Sequence, residues 1–263
     1  MKVGWIGLGM MGLGMASCAA RAGHRVIGHT RGNPAHAALT ALGGELSPDM
    51  TAVAAASDVL CVNVFTDGQV GEVLYGAGVL KALRPGAVLV IHTTGDPAVS
   101  QAAAAAAPQG VAVLDAAFSG TPAQAADGTL AIMAGGDARA YATALPVLES
   151  YGRLVRHVGP VGAGQRLKLI NNMLFAAHVR LAAEAYGLAE REGFDAQLAA
   201  EILDQCSASS RALAIIGEGG RVADNLARMR FYLDKDMEVA RRIAAERGQD
   251  LGLIGEVTAA FKP

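Results

Sequence analysis

The sequence has little cysteine and few aromatic residues. Its 263 residues include three cysteines, Cys18, Cys61 and Cys206. They lie far apart and form no C-x-x-C pair, which excludes a disulfide framework and a zinc ribbon and fits a reducing compartment. The six histidines show no H-x-x-x-H spacing, so we predict no metal site.

Charge is scarce and balanced, and long apolar runs are missing. Charged residues are 17% of the chain and the formal net charge is −2, without a long basic run to bind a polyanion. Residues 102–107 form the longest apolar tract, far short of the ~20 residues that cross a bilayer. Residues 1–7 lack the features of a secretory signal. We therefore expect a cytoplasmic protein that binds neither nucleic acid nor membrane.

The apolar residues that are present follow a regular pattern. They make up 52% of the chain, which is typical of a folded protein. Up to residue 158, short β-branched segments alternate with Ala-rich helical ones, the pattern of βαβ units and a mainly parallel sheet. The predicted strands are residues 3–6, 25–28, 59–64, 87–92, 111–114, 130–134 and 154–158.

Capping residues mark the helix starts. The predicted caps are Asn33, Ser47 and Asp96, each directly before a proline, and Asp137 and Asp195. After residue 158 a Gly-rich segment opens a long helical pattern to about residue 192, and no strand pattern follows. We therefore divide the chain into an α/β domain of residues 1–160 and a smaller all-α domain of residues 161–263, joined through the long helix.

A glycine-rich turn follows the first predicted strand and opens a helix. It reads Gly7-Leu8-Gly9-Met10-Met11-Gly12, a G-x-G-x-x-G motif. In this context the glycines permit a tight turn, approach to a pyrophosphate and close helix–strand packing. The motif predicts a Rossmann-type, doubly wound dinucleotide-binding domain, with the helical domain left for substrate binding and oligomerisation.

The end of the second strand indicates the cofactor. NAD-binding domains place an acidic residue there for the ribose 2′-hydroxyl, but this sequence has Thr30 and Arg31. A guanidinium and a hydroxyl suit a 2′-phosphate. NADP is therefore favoured, and NAD remains an alternative if Arg31 is a solvated loop residue.

Lys168 and Asn172 lie four residues apart on the predicted long helix and hence share one face. Their neighbours are apolar, which places the pair at the edge of a buried stripe and not on an open surface; they are Leu167, Ile170, Leu174 and Phe175. Partial burial of a lysine lowers its pKa toward the range useful for proton transfer. The other interpretation is a snorkelling lysine beside a packing asparagine.

Three motifs in order resemble one family. They are the glycine turn, Asp115-Ala116-Ala117-Phe118-Ser119-Gly120, and the G-x-x-G-x-G-x-x-x-K-x-x-x-N pattern of residues 159–172. Together they resemble the β-hydroxyacid dehydrogenases, the group of 3-hydroxyisobutyrate dehydrogenase, tartronate semialdehyde reductase and the glyoxylate/succinic semialdehyde reductases. The likeness covers nearly the whole chain.

The resemblance implies a role for each matching residue. Lys168 would be the catalytic acid/base and Asn172 would orient the substrate. Ser119, Gly120 and Thr121 would hold the substrate carboxylate. The implied cofactor contacts, besides the glycine turn, Thr30 and Arg31, are Val64, Phe65, Thr94 and Lys235. The implied reaction is hydride transfer between the nicotinamide cofactor and a small β-hydroxy acid or its semialdehyde or keto form, in a homodimer or homotetramer with the long helix in the interface.

Departures from the family pattern leave two alternatives. Ala117, Phe118 and Thr121 replace the usual residues of the carboxylate loop, and the chain ends at Pro263, earlier than family members usually do. An imine reductase shares the two-domain plan, but commonly carries another proton donor at the Lys168 position. A protein that binds the dinucleotide without catalysis, as a sensor or assembly partner, is the other alternative. Late in the chain, a set of carboxylates is interpreted as a solvated helix face shared with Arg241 and Arg242; its members are Asp234, Asp236 and Glu238.

Overall fold

The computed structural model describes residues 1–259 and divides into two units, Met1–Lys168 and a second that starts at Leu169. Within the described residues the chain forms one sheet of eight strands. The strands are β1 (Lys2–Ile6), β2 (Arg25–His29), β3 (Glu45–Ser47), β4 (Val59–Val62), β5 (Val88–Ile91), β6 (Ala112–Ser119), β7 (Leu130–Gly136) and β8 (Gly152–Gly159). All of them belong to the first unit.

The sheet has the doubly wound order β3-β2-β1-β4-β5-β6-β7-β8. Each neighbouring pair is parallel except β6 and β7, which are antiparallel. The strand order reverses between β1 and β4, and ligands bind at the carboxyl ends of the strands at such a point. The predicted fold class is therefore confirmed. The short β3 was not predicted, and β6 continues beyond its predicted end at residue 114.

Helices cover the sheet of the first unit. They are α1 (Met10–Arg21), α2 (Ala37–Thr40), α3 (Met50–Ala56), α4 (Asp67–Gly71), α5 (Val79–Ala82), α6 (Pro97–Ala106), α7 (Pro122–Ala126) and α8 (Ala138–Leu148), with short non-α helices at Pro34–His36 and Glu72–Gly76. Asp96 and Asp137 cap α6 and α8 as predicted, and Asn33 caps the turn at Pro34–His36.

The predicted helix start at Ser47 is wrong. Ser47 is the last residue of β3, and α3 begins at Met50 with Asp49 as its cap. The Asp49 carboxylate accepts the N–H groups of Thr51 and Ala52 at 2.8 and 3.1 Å. The Ser47 hydroxyl accepts the Asp49 N–H at 3.1 Å. Ser47 therefore shapes the turn before the helix, and the carboxylate two residues later makes the cap.

The sheet carries an apolar core on each face. Every residue of β4 and β5 is buried, as expected for parallel strands covered on both sides. One core also holds a polar group, His92, whose Nδ1 lies 2.7 Å from the Ala116 carbonyl and whose Nε2 lies 3.0 Å from the Tyr151 hydroxyl. Burial lowers the pKa of His92 to about 4, so the ring is neutral at physiological pH and its two nitrogens serve as hydrogen-bonding groups.

The second unit is helical. The long helix α9 (Ala163–Arg191) begins in the first unit and continues into the second, followed by α10 (Ala196–Leu203), α11 (Arg211–Gly217), a short turn at Glu218–Gly220, α12 (Val222–Glu246) and α13 (Gly252–Thr258). Asp195 caps α10 as predicted. The unit has its own core, which includes Met173, Tyr186, Ile216 and Met237. None of the helices in residues 1–259 is both long and apolar enough to span a bilayer.

Candidate active site

Two of the three glycines in the turn after β1 are required because a side chain there would collide with the protein's own backbone. Gly7 has φ +97°, a conformation that favours glycine, and a Cβ there would collide with the Asn63 carbonyl. A Cβ on Gly12 would collide with the Gly7 carbonyl. These two positions therefore allow β1 and α1 to pack closely, as the sequence motif predicts.

No contact within the described part of the protein requires a glycine at position 9. Its φ is −76°, which any residue can adopt, and it precedes α1 without a side-chain cap. A Cβ at Gly9 would have no atom within 4 Å. The missing side chain thus leaves open space at the positive end of a helix, and this space suits the pyrophosphate of a dinucleotide.

A cavity of about 460 Å³ adjoins this turn. Its lining residues are Ile6, Gly7, Leu8, His29, Arg31, Gly32, Asn33, His36, Met50, Val64 and Val73. Arg31 is exposed. Burial, and after it the charge of Arg31, lowers the pKa of His29. None of these lining residues, within the part of the chain described, is acidic. The cavity therefore offers a cation at the position where NAD-binding domains offer a carboxylate.

His36 connects two segments that line this cavity, which could not be predicted from the sequence. Its Nε2 donates to the Leu8 carbonyl at 3.0 Å, and its Nδ1 lies 2.7 Å from the Thr30 hydroxyl. The Thr30 oxygen also accepts the Gly32 N–H at 3.1 Å. Thr30 therefore shapes the loop that carries Arg31, in addition to its predicted place beside the cofactor.

The ends of β4 and β5 are tied together. The Val64 N–H donates to the Thr93 hydroxyl at 3.1 Å, and that hydroxyl donates to the Val64 carbonyl at 2.9 Å. Phe65 is exposed, and its N–H donates to Gln69 at 2.8 Å. Thr94 is half-buried. Of these predicted cofactor contacts, Val64 lines the cavity.

Some polar groups of the segment after β6 form hydrogen bonds with each other. The Thr121 N–H donates to Gln124 Oε1 at 3.0 Å, and its hydroxyl accepts the Gln124 N–H at 3.3 Å. This capping box starts α7. Phe118 packs into the core against His92, with ring centroids 6.0 Å apart, while Ser119 and Gly120 are half-buried. Phe118, which differs from the usual residue of the family at this position, therefore faces the core.

Asp115, which the sequence showed only as the start of a motif, binds the first turn of α9. It is fully buried, and its two carboxylate oxygens accept the N–H groups of Gly162 at 2.5 Å and Gln165 at 2.7 Å. Burial raises the pKa of Asp115 to about 6, and these hydrogen bonds oppose the rise. The Gln165 side chain donates to the Thr93 carbonyl at 2.7 Å and accepts the Gly95 N–H at 3.1 Å.

Lys168 follows Gln165 by one helical turn and is 9% exposed. This burial is not that of a snorkelling surface lysine. The expected burial of Lys168 and Asn172 is found, and Phe175 packs partly buried against a core. The apolar stripe itself differs from the expectation, because Leu167, Ile170 and Leu174 are exposed. Near its start, α9 instead buries two polar residues three positions apart, Gln165 and Lys168. Gln165 bonds to backbone groups that follow β5.

In the second unit, Asn172 belongs to a polar cluster centred on Asp236. Asp236 is buried and accepts the Asn172 amide at 2.5 Å and the Lys235 ammonium at 2.7 Å. The Asn171 amide donates to the Asn172 oxygen at 2.9 Å. The prediction that Asp236 lies on a solvated face is therefore wrong, since a buried carboxylate needs the partners that it finds here.

Comparison with known proteins identifies the family. Residues 2–159 match the family described as the NAD binding domain of 6-phosphogluconate dehydrogenase. Residues 162–262 match the family described as NAD-binding of NADP-dependent 3-hydroxyisobutyrate dehydrogenase. Together the two matches span both structural units.

Individual relatives agree. An NAD-dependent L-serine dehydrogenase of Pseudomonas aeruginosa is 34% identical over 262 residues, 98% of this chain and 86% of the relative. A 2-hydroxy-3-oxopropionate reductase of Escherichia coli is 36% identical over 220 residues, 83% of this chain and 75% of the relative. The crystal structure of a 3-hydroxyisobutyrate dehydrogenase from Salmonella typhimurium has a TM-score of 0.89 at 28% identity and covers 99% of this chain and 93% of that one.

Imine reductases are more distant. One from Myxococcus stipitatus has a TM-score of 0.66 at 23% identity, covering 99% of this chain and 93% of that one, and so shares the fold alone. The chain therefore belongs to the β-hydroxyacid dehydrogenase family and is an NAD(P)-dependent oxidoreductase that acts on hydroxyl groups.

Proposed function

We propose that the protein transfers a hydride between NADP(H) and a small β-hydroxy acid or its semialdehyde or keto form, with Lys168 as the acid/base. The observation that carries this proposal is the burial of Lys168 one turn after Gln165, whose side chain is bonded to the segment following β5. This is the carboxyl end of the sheet, where ligands bind in open α/β folds, and the glycine turn lies at the same end.

The open space at Gly9 and the adjoining cavity fit a dinucleotide, which supplies or accepts the hydride when bound. Lys168 takes the hydroxyl proton in oxidation and returns a proton to the carbonyl oxygen in reduction. Ser119 and Gly120 hold the carboxylate, with Thr121 contributing through the geometry of its capping box. Asn172 shares the helix face of Lys168 and orients the substrate, while Lys235 is the proposed cofactor contact from the second unit.

The central test is Lys168→Ala. General acid–base catalysis is typically worth 10²–10⁴-fold, so kcat should fall by roughly that factor. NADPH affinity should stay within about twofold, since the lysine acts on the substrate proton. Affinity is measurable by energy transfer to NADPH from Trp5, the one tryptophan of the chain, which lies in β1 directly before the glycine turn.

Two controls sharpen this test. Lys81→Ala removes an exposed lysine of α5 and should leave kcat unchanged. Added primary amines should restore part of the turnover of Lys168→Ala, because a small amine can occupy the space of the missing ammonium. Undiminished turnover in Lys168→Ala across a panel of hydroxy acids would contradict the proposal, and turnover of cyclic imines with no hydroxy acid oxidised would favour the imine reductase.

The proposed preference for NADP over NAD is based on the charge of Arg31. This residue lines a cavity without a carboxylate, so a 2′-phosphate would gain a charge-assisted hydrogen bond of about 1.5–3 kcal/mol. Arg31→Ala should weaken NADPH binding by roughly 10- to 100-fold, with NADH binding changed by less than about twofold. Arg153→Ala, an exposed arginine of β8, is the control. Equal loss of both cofactors in Arg31→Ala would show that Arg31 does not select between them.

A further inference from the structure

The first turn of α9 is fixed to the sheet by a carboxylate rather than by a local cap. Asp115 lies inside β6, paired with Ile91 of β5 and Gly135 of β7. It reaches the N–H groups of Gly162 and Gln165, 47 and 50 residues along the chain. A Ser, Thr or Asn at the helix start would satisfy such groups locally. Here a strand residue does so, and helix and sheet are thereby joined.

Two glycines lie against the Asp115 carboxylate. A Cβ on Gly135 would lie 2.5 Å from Asp115 Oδ1 and 2.7 Å from the Pro160 carbonyl. A Cβ on Gly164 would lie 2.9 Å from Asp115 Oδ2. Both glycines are thus needed for the helix to approach the strands. A side chain at either glycine would therefore displace the Asp115 carboxylate or the helix start.

Gln165 provides a second attachment from the helix side. Its amide nitrogen and oxygen both bond to backbone, at Thr93 and Gly95 after β5, and the residue is buried. A side-chain amide held at both ends fixes the rotation of its helix as well as its position. Lys168 lies three residues later and so projects from the same face, one turn on.

Burying a carboxylate is costly even when it is hydrogen-bonded. The buried carboxylate can offset this cost by holding the helix in place, since catalytic groups must be held to within about 0.5 Å of the productive geometry. We infer that Asp115 and Gln165 are positioning residues, which set the position of the Lys168 ammonium by anchoring the first turn of α9 to β6 and to the segment after β5. This inference rests on the proposed role of Lys168.

The test uses Asp115→Asn and Gln165→Glu. An asparagine offers one acceptor where two N–H groups need one each, and a glutamate would set an oxygen against the Thr93 carbonyl while keeping the bond to Gly95. Because a displacement of about 1 Å can cost 10²-fold in rate, we expect kcat to fall roughly 10- to 100-fold in each variant. The KM for NADPH and the energy transfer from Trp5 should change by less than about twofold.

Asp137→Asn is the matched control. One oxygen of Asp137 accepts the N–H groups of Arg139 and Ala140 at the start of α8, and an asparagine offers the same acceptor. The substitution therefore removes a capping carboxylate charge at a helix that bears no site residue, and it should leave the unfolding midpoint nearly unchanged and kcat unchanged. A solvent isotope effect on kcat that increases in Asp115→Asn and Gln165→Glu but not in Asp137→Asn would identify a misplaced proton donor. A merely loosened fold would not produce that difference.

The outcomes separate the two proposals. If Lys168→Ala keeps its turnover, the proposed function fails, whatever the other variants do. If Lys168→Ala is inactive while Gln165→Glu and Asp115→Asn turn over at the wild-type rate, the positioning role is overturned. An equal fall of kcat in Asp137→Asn also overturns the positioning role. Should Asp115→Asn not fold, Gln165→Met decides, with the same expected fall in kcat, because it removes both side-chain bonds of residue 165 without adding a charge and leaves the Asp115 carboxylate intact.

Discussion

At the scale of single residues, the three glycines of the turn after β1 make different predictions. Gly7 and Gly12 are excluded from substitution by backbone contacts, whereas Gly9 faces open space. Gly9→Ala should therefore fold normally, with an unfolding midpoint equal to that of the wild type or slightly higher. NADPH binding should weaken by about tenfold or more, because the methyl group enters the space of the pyrophosphate and displaces a hydrogen bond worth about 1.5 kcal/mol.

Calorimetric titration with NADPH and thermal unfolding measure the two quantities separately. Gly76→Ala is the control, since a Cβ there also meets nothing within 4 Å but the residue lies outside the turn. An unchanged affinity in Gly9→Ala would show that the dinucleotide phosphates do not approach this glycine.

Patterns among neighbours in sequence are visible before the fold is known, whereas contacts between distant residues are not. The glycine turn and the Lys168 and Asn172 spacing are local patterns. By contrast, His36 contacts Leu8 across 28 residues, Asp115 contacts Gly162 across 47, and Asp236 contacts Asn172 across 64. Nothing in the neighbouring sequence distinguishes these side chains from solvated polar residues. Their functions become visible only when the fold brings their partners within hydrogen-bonding distance.

At the scale of elements, α1 and α7 meet at a glycine. A Cβ on Gly14 would lie 2.9 Å from the Ala126 nitrogen and 3.1 Å from the Ala125 carbonyl carbon. One and two turns later, Cys18 and Arg21 bond to the Ala126 carbonyl at 3.2 and 2.6 Å. The helix that begins at the glycine turn therefore also holds α7, which directly follows the Ser119–Gly120 segment.

Gly14→Ala should reverse the usual effect of that substitution in a helix. Alanine normally stabilises a helix by up to about 1 kcal/mol relative to glycine. Here it forces two backbones apart, and we expect the free energy of unfolding to fall by about 1–3 kcal/mol, with a higher substrate KM as α7 shifts. Urea unfolding measures the first effect. Gly71→Ala, at a helical glycine with nothing within 4 Å, should stabilise, and a similar gain in Gly14→Ala would disprove the close contact.

The order of elements was more predictable than their ends. All the predicted strands exist, because each predicted segment is short, carries strand-forming apolar residues and lies between turn residues. The strand β3 escaped prediction because three residues are too short to show alternation. The helix start at Ser47 was misplaced because two capping residues, Ser47 and Asp49, flank one proline. Sequence spacing alone does not decide which of them reaches the helix N–H groups.

At the scale of the whole molecule, one surface of α9 is apolar and uncovered. Ile170, Leu174, Leu181 and Leu188 are all exposed, and they recur at spacings of four and seven residues, which places them along one side of the helix. Solvated helices usually carry polar residues on such a side. The stripe therefore supports the expected homo-oligomer, in which the α9 helices of two subunits would cover each other.

Leu181→Glu tests this assembly. In a symmetric interface one substitution acts twice, and losing two buried leucines at about 1.5–3 kcal/mol each weakens the dimer by roughly 10²–10⁴-fold. Light scattering after size-exclusion chromatography at micromolar concentration should show a smaller species than the wild type. Leu253→Glu changes a leucine of α13 that is 72% exposed and lies off the stripe, so its mass should match the wild type. If Leu181→Glu also keeps the wild-type mass, the stripe does not form the interface, because a glutamate pair buried there without partners would separate the subunits.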